Sequence, residues 1–503
     1  MPARHFLARH GWLVAIAVAY LYAFPYFPKI HSANELPRVY LTQAIVDDHA
    51  LSIDHGVATW GATADVSPSN GHQYSNKAPG SSMLAAPAYA AVRLVAERPS
   101  LGFTLWLCRL VAGIVPSLLF LQLLWGFLAR YAPDPDVRRL VLLAYGLGSI
   151  AMTYSILFYS HQLGAVCVGS AWILAVDVVE RRRGARAMIA AGALAGAAVL
   201  ADYQAVFAAV PVAVYVVVKI WSQSRRELVR AVLFALAGAA APIVILLAYH
   251  AVCFGSPWRT GYDASTTFAQ FHQHGFLGIT KLRWEAFVGS FFKADNGLVI
   301  LAPWWLIAIP GAVVLARRGG GDRGVLATSA AVVVIYVLFI SSINFWRGGW
   351  GVGPRYITAM LPFLLPPVAA QLQAWRDRPV LLGLAAGTML VGVAIYVLSS
   401  LTFPYWPDSI ANPLYDVTFR MLGDGLVAPN AITALGGGGV ATLLPVLAIV
   451  GVALGLPILR LGRWRALAIS VVVASAVLGA YAAFPRNAHE SARAYTFVTE
   501  AVQ

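Results

Sequence analysis

An all-α polytopic membrane protein is the fold class that this chain of 503 residues predicts, on three observations. Hydrophobic residues make up 59% of it and charged residues only 12%, with a mean hydropathy of +0.70, whereas an ordinary soluble domain carries about 25% charged residues. Apolar stretches long enough to cross about 30 Å of hydrocarbon recur along its whole length. The basic residues gather in alternate loops, as a membrane topology requires.

In chain order the apolar stretches lie at 11–28, 103–128, 140–157, 162–179, 187–201, 204–221, 231–253, 297–316, 324–343, 356–374, 379–400, 438–459 and 466–484, which gives thirteen expected spans. The first, from Trp12 to Phe27, follows Arg4 and Arg9 but lacks a small-x-small exit, so it reads as a retained span and not a cleaved signal. A further run, Ala78 to Ala96, is interrupted by Pro79, Gly80 and Pro87 and carries Arg93. Counting it as a span would put Arg138-Arg139, Arg181-Arg182-Arg183, Arg225-Arg226 and Arg317-Arg318 outside, against the positive-inside rule, so it reads as a non-spanning helix on the outer face.

With that topology the N-terminus is cytoplasmic, and the short inner loops account for the whole formal charge of +14. A charge spread over short loops, without one basic patch, argues against nucleic acid as a partner. Cys108, Cys167 and Cys253 sit in apolar runs with no CxxC or His spacing, which excludes a disulfide framework or a cysteine metal site. Residues 1–503 form a single integral membrane domain without repeats, and its polar material is concentrated in the outer segments 29–102, 254–296, 344–355 and 401–437. Chemistry is therefore expected on the extracytoplasmic face.

Four places in those segments carry chemistry-bearing side chains. In Asn34-Glu35-Leu36-Pro37-Arg38-Val39-Tyr40, Pro37 suits a first helical turn, with Asn34 as a cap and Glu35 and Arg38 on one side. Glu35 reads either as a general base at the membrane surface or as a capping carboxylate paired with Arg38. Farther along, Asp65 precedes Tyr74-Ser75-Asn76-Lys77-Ala78-Pro79, where Lys77 at a helix start suits a phosphate or snorkels to lipid headgroups. His161 in the turn between the third and fourth spans, and Asp202-Tyr203 between the fifth and sixth, are ionisable or polar groups next to the membrane, either functional or satisfied turn and cap residues. The densest cluster runs from Asn344 to Tyr356: four glycines that allow close backbone approach, Arg347 and Arg355 as phosphate forks, and tryptophans. Arginines outside run against the orientation signal, which favours a bound anion over an aromatic belt. The outer acids lack a fixed ligand spacing, so a divalent metal stays an open possibility without assigned ligands.

Taken in order, these residues resemble the GT-C glycosyltransferases, integral membrane enzymes that take sugar from a polyprenyl-phosphate carrier, and especially the branch of the protein O-mannosyltransferases and lipid A aminoarabinose transferases (glycosyltransferase family 39-like). The family pattern of an acidic pair followed by Arg-Tyr is matched by Asn34-Glu35 with Arg38 and Tyr40, the Tyr-x-x-Lys-x-Pro segment by Tyr74 to Pro79, and an Arg-Leu entering the next span by Arg109-Leu110. Two positions depart from it. Asn34 replaces the first acid, so a catalytic carboxylate must be Glu35 or another acid such as Asp65, and His161 stands where the family has a second outer acid.

The resemblance implies a GT-C-like fold in a bacterial cytoplasmic membrane, a polyprenyl-phosphate-linked sugar donor, and an extracytoplasmic acceptor hydroxyl on a glycan, lipid or protein. It implies Glu35 as base with Arg38 positioning it, and Lys77, Arg347 and Arg355 on the carrier phosphate. Asp65, Tyr74, His161, Asp202, Tyr203 and Tyr356 would line the sugar or acceptor side. The chemistry needs no general acid, because phosphate is already a good leaving group; cations and one base suffice for an inverting displacement. An O-antigen ligase or polymerase using lipid-diphosphate glycans is the alternative within this chemistry. A lipid-linked sugar transporter or flippase is the alternative outside it, disfavoured by span centres almost free of charge.

Overall fold

The protein is described here by a computed structural model covering residues 2–30 and 32–502, without the side chains of residues 2–9 and 501; His31, beside the Asn34-Glu35 motif, lies outside the described residues. It is a helical bundle. Among the described residues, eight helices are long and apolar enough to cross a membrane: Leu101–Leu128, Ser160–Val179, Tyr203–Trp221, Arg225–Phe254, Gly320–Ser342, Arg355–Trp375, Pro379–Leu401 and Val440–Ala483.

The difference from thirteen expected spans has local causes. Val440–Ala483 takes in two of them, joined through a non-helical residue, Arg463, at φ 53° and ψ −166°. His10–Tyr22 and Ala187–Ala201 are apolar but short. The stretch at 140–157 divides into Pro135–Leu147 and Ile150–Ser155 at Gly148-Ser149, where Ser149 Oγ accepts a hydrogen bond from the Ala151 N–H at 3.1 Å. The stretch at 297–316 divides where Pro303 removes a backbone donor, giving Leu298–Leu301 and Ala308–Arg318 with a 3-10 turn between them. Hydropathy counts apolar residues and does not register such breaks.

Small residues allow a close helix contact. A Cβ at Gly192 would lie 2.0 Å from the Ala235 carbonyl oxygen, and one at Gly238 would lie 1.9 Å from that of Ile189, so Ala187–Ala201 and Arg225–Phe254 meet backbone to backbone. Gly238→Val is expected to force these helices apart at a cost of about 1–3 kcal/mol. Thermal unfolding in detergent should show a lowered Tm, with Gly451→Ala, which meets nothing within 4 Å, as the unaffected control.

Two elements between the first helix and Leu101–Leu128 position the site. Val66–Ser69 pairs antiparallel with His72–Ser75 through Asn70-Gly71, whose φ angles of 51° and 81° make the primed turn that suits a two-residue hairpin. This two-stranded hairpin lies in the segment 29–102, where the sequence predicts a loop with one non-spanning helix. The 14-residue helix Gly80–Arg93 follows, with the Gly80 Cα pressed against the backbone of Leu200 and Ala201; a Cβ there would lie 2.7 Å from both. That contact fixes the start of the helix, and with it Lys77, close to the end of Ala187–Ala201.

Candidate functional site

Hairpin register assembles the first part of the site. Because Val66 pairs with Ser75, the residues just outside the ladder, Asp65 on one strand and Asn76-Lys77 on the other, fall side by side. Lys77 Nζ lies 3.0 Å from Asp65 Oδ2, and Asn76 Nδ2 donates to Asp65 Oδ1 at 3.2 Å. Both charged residues are buried. Burial pushes the Lys77 ammonium down to about 8; Asp65 opposes this, while the nearby positive Arg38 and Arg355 add to it.

Asp65 and Lys77 open onto a cavity of about 620 Å³. Its polar side also holds Asn34, Tyr159 and Arg355, and its other side is aromatic, with Phe268, Phe271, Phe345 and Trp350. Phe345 stacks on Phe271 at 4.6 Å and on Phe268 at 5.3 Å, so two separate outer segments build one apolar wall. Arg355 is buried, with its guanidinium 5.1 Å above the Tyr159 ring. It donates to the Trp350 carbonyl at 2.9 Å and to that of Gly348. The glycine segment wraps around it, with Gly348 and Gly349 at φ 74° and 81°, where a side chain would be strained.

Arg38 lies behind Asn34. Its Nε donates to Ser160 Oγ at 3.0 Å, and its Nη1 donates to both the carbonyl and the side-chain oxygen of Asn34 at 2.9 Å. It is buried, and none of the ion pairs among the described residues includes it. Two buried cations, Arg38 and Arg355, thus act on a third, Lys77, and among the described residues the carboxylate in direct contact with this set is Asp65, with Asp202 acting on Arg38 from farther away. Buried charge without compensation is costly, so the site favours an anion.

No protein-family model and no curated protein matches the chain. Among solved structures, it is similar to the crystal structure of ArnT from Cupriavidus metallidurans in the apo state, at 15% identity and a TM-score of 0.49, over 93% of this chain and 75% of that one.

The remaining expected residues divide. Glu35 does not pair with Arg38. Its carboxylate accepts from Arg109 Nε at 2.9 Å and Nη2 at 2.8 Å, from the Tyr405 hydroxyl at 2.7 Å and from the Phe158 N–H at 2.5 Å. At 2% exposure it stays out of the lining of this cavity and ties its own segment to Leu101–Leu128, Phe158 and Tyr405. The expected cap at Asn34 is absent too, since the helix Leu36–Gln43 starts with Glu35 in the cap position and no side-chain cap bond. Arg347 forms an ion pair with Asp295 and donates to the Pro407 carbonyl at 3.3 Å, away from the cavity lining. Tyr74 packs edge-on against Phe254 and Tyr203 bonds His250 Nε2 at 2.9 Å, both outside the lining.

His161 and Asp202 form a pair behind the cavity wall, Nδ1 to Oδ2 at 2.8 Å, and the His161 ring meets Tyr356 edge-on at 5.5 Å. Burial alone would raise the Asp202 carboxyl, but His161 and Arg38 hold it below its usual value. Among the described residues, no group of three or more His, Cys, Asp or Glu is arranged to hold a metal ion.

Sequence reasoning gave no role to Tyr405 or the aromatic wall and left Arg109 as a motif match. Asn70-Gly71 between short alternating runs was the signal that would have joined Asp65 to Lys77.

Proposed function

We propose that the protein is a membrane glycosyltransferase of the GT-C type, transferring sugar from a polyprenyl-phosphate carrier to an extracytoplasmic acceptor hydroxyl by a single inverting displacement. The observation that carries this reading is that two buried cations, Lys77 and Arg355, face one buried acid, Asp65, in a cavity that also has an aromatic wall; the other charged residues lining it, Lys29 and Asp408, are exposed and offset each other. Lys77 and Arg355 hold the carrier phosphate, supported by Arg38 from behind; the aromatic wall takes the apolar or sugar part of a substrate. The acceptor oxygen attacks the anomeric carbon, the bond from that carbon to the phosphate oxygen breaks, and the phosphate leaves with the electron pair, its growing charge met by the cations. Asp65, the buried acid lining the cavity, takes the acceptor proton, once the phosphate competes for Lys77 and frees a carboxylate oxygen.

Purified protein given radiolabelled polyprenyl-monophosphate sugars should transfer the label to a membrane or envelope acceptor fraction. Transfer from lipid-diphosphate glycans alone would instead assign a ligase or polymerase. Affinity for polyprenyl phosphate is expected to fall as pH rises through about 8, because the buried Lys77 loses its proton there. Lys77→Arg, charged throughout that range, should flatten the fall; an unchanged pH profile in that variant would remove Lys77 from the phosphate site.

A further inference from the structure

Apart from this cavity, a second one of about 670 Å³ runs between His10–Tyr22 and the first half of Val440–Ala483. Its walls are apolar, from Ala15 and Val18 on one helix to Ile449, Val452 and Leu456 on the other. Its end is not. Arg139 and Arg460 both line it there, and both reach the same acid, Asp136, at 2.5 and 3.3 Å. Two arginines against one carboxylate leave a positive excess, and the Arg460 side chain is half exposed. Trp12 also lines the groove and is buried, its ring stacked on Trp125 at 5.3 Å as part of the wall.

From Ala448 to Arg460 the groove follows about 18 Å of helix, close to the depth of one leaflet of a hydrocarbon core about 30 Å thick. It therefore combines a leaflet-deep apolar channel with a net cationic mouth. We propose that this groove is a binding site for an anionic phospholipid, with an acyl chain between the two helices and the headgroup phosphate on Arg460 and Arg139. The site is independent of the glycosyltransferase reading, because it lies on the basic-loop end of the bundle and shares no residue with the Asp65–Lys77 cavity.

Delipidated full-length protein titrated with phosphatidylglycerol and, separately, phosphatidylcholine, with binding read by native mass spectrometry, tests this. Phosphatidylglycerol should bind at least severalfold more tightly, and Arg460→Ala should weaken it about fivefold, with Arg460→Lys recovering most of the loss. Val452→Trp, at an exposed groove position, should reduce binding of the phospholipid while leaving the protein folded, as judged by an unchanged Tm. Equal affinity for the two lipids, indifference to both substitutions, or preference for polyprenyl phosphate over phosphatidylglycerol would overturn the assignment.

Discussion

Replacing Asp65 with asparagine is expected to lower the turnover of sugar transfer by about 10²–10⁴-fold, the usual contribution of a general base. Binding of polyprenyl phosphate should hold or tighten, because the carboxylate now paired with Lys77 at 3.0 Å no longer competes with the phosphate for it. That split separates a base from a scaffold residue. The hairpin turn Asn70-Gly71 and its ladder remain, and the Asn76 side chain keeps an oxygen partner at position 65, so the fold has no cause to change. Near-normal turnover in a folded Asp65→Asn protein would dismiss the assignment, as would loss of carrier binding in parallel with turnover.

Glu35→Gln is expected to act on stability. Its carboxylate neutralises Arg109, which is 1% exposed and also contacts the Pro25 carbonyl and the Tyr405 hydroxyl. Removing the negative charge leaves that guanidinium buried without a counter-ion, a change that costs about 3–5 kcal/mol when one partner of a buried pair is lost. Thermal unfolding should show a large drop in Tm, and the double variant Glu35→Gln/Arg109→Gln should recover much of it by removing the orphaned charge. Transfer per folded molecule should stay close to normal. An unaltered Tm together with abolished transfer would return Glu35 to the role of base.

These two residues show where the sequence was legible. Glu35 and Arg38 stand three positions apart beside a helix start, and i, i+3 geometry invites the reading that they pair. Arg38 instead turns back to Asn34 and Ser160, while Glu35 reaches Arg109, far along the chain on Leu101–Leu128. Likewise, two outer arginines signalled an anion, but Asp295 occupies Arg347 and leaves only Arg355 on the cavity. A count of charges on the outer face cannot tell a paired cation from one with spare capacity.

What the sequence by itself determined is the solvent of the fold and the inventory of its outer face. A chain with 59% hydrophobic and 12% charged residues must bury helices in lipid, and Glu35, Lys77, Arg347 and Arg355 stand out in its polar segments because charged groups beside a membrane need a reason. Tertiary structure decided which of those groups meet. A hairpin register set Asp65 beside Lys77, and a glycine without a Cβ let the following helix close on Leu200 and Ala201. The physical reason is range. Hydropathy and local spacing act over one helix or turn, whereas a buried charge is satisfied by whichever partner packing brings within about 3 Å, however distant in the chain.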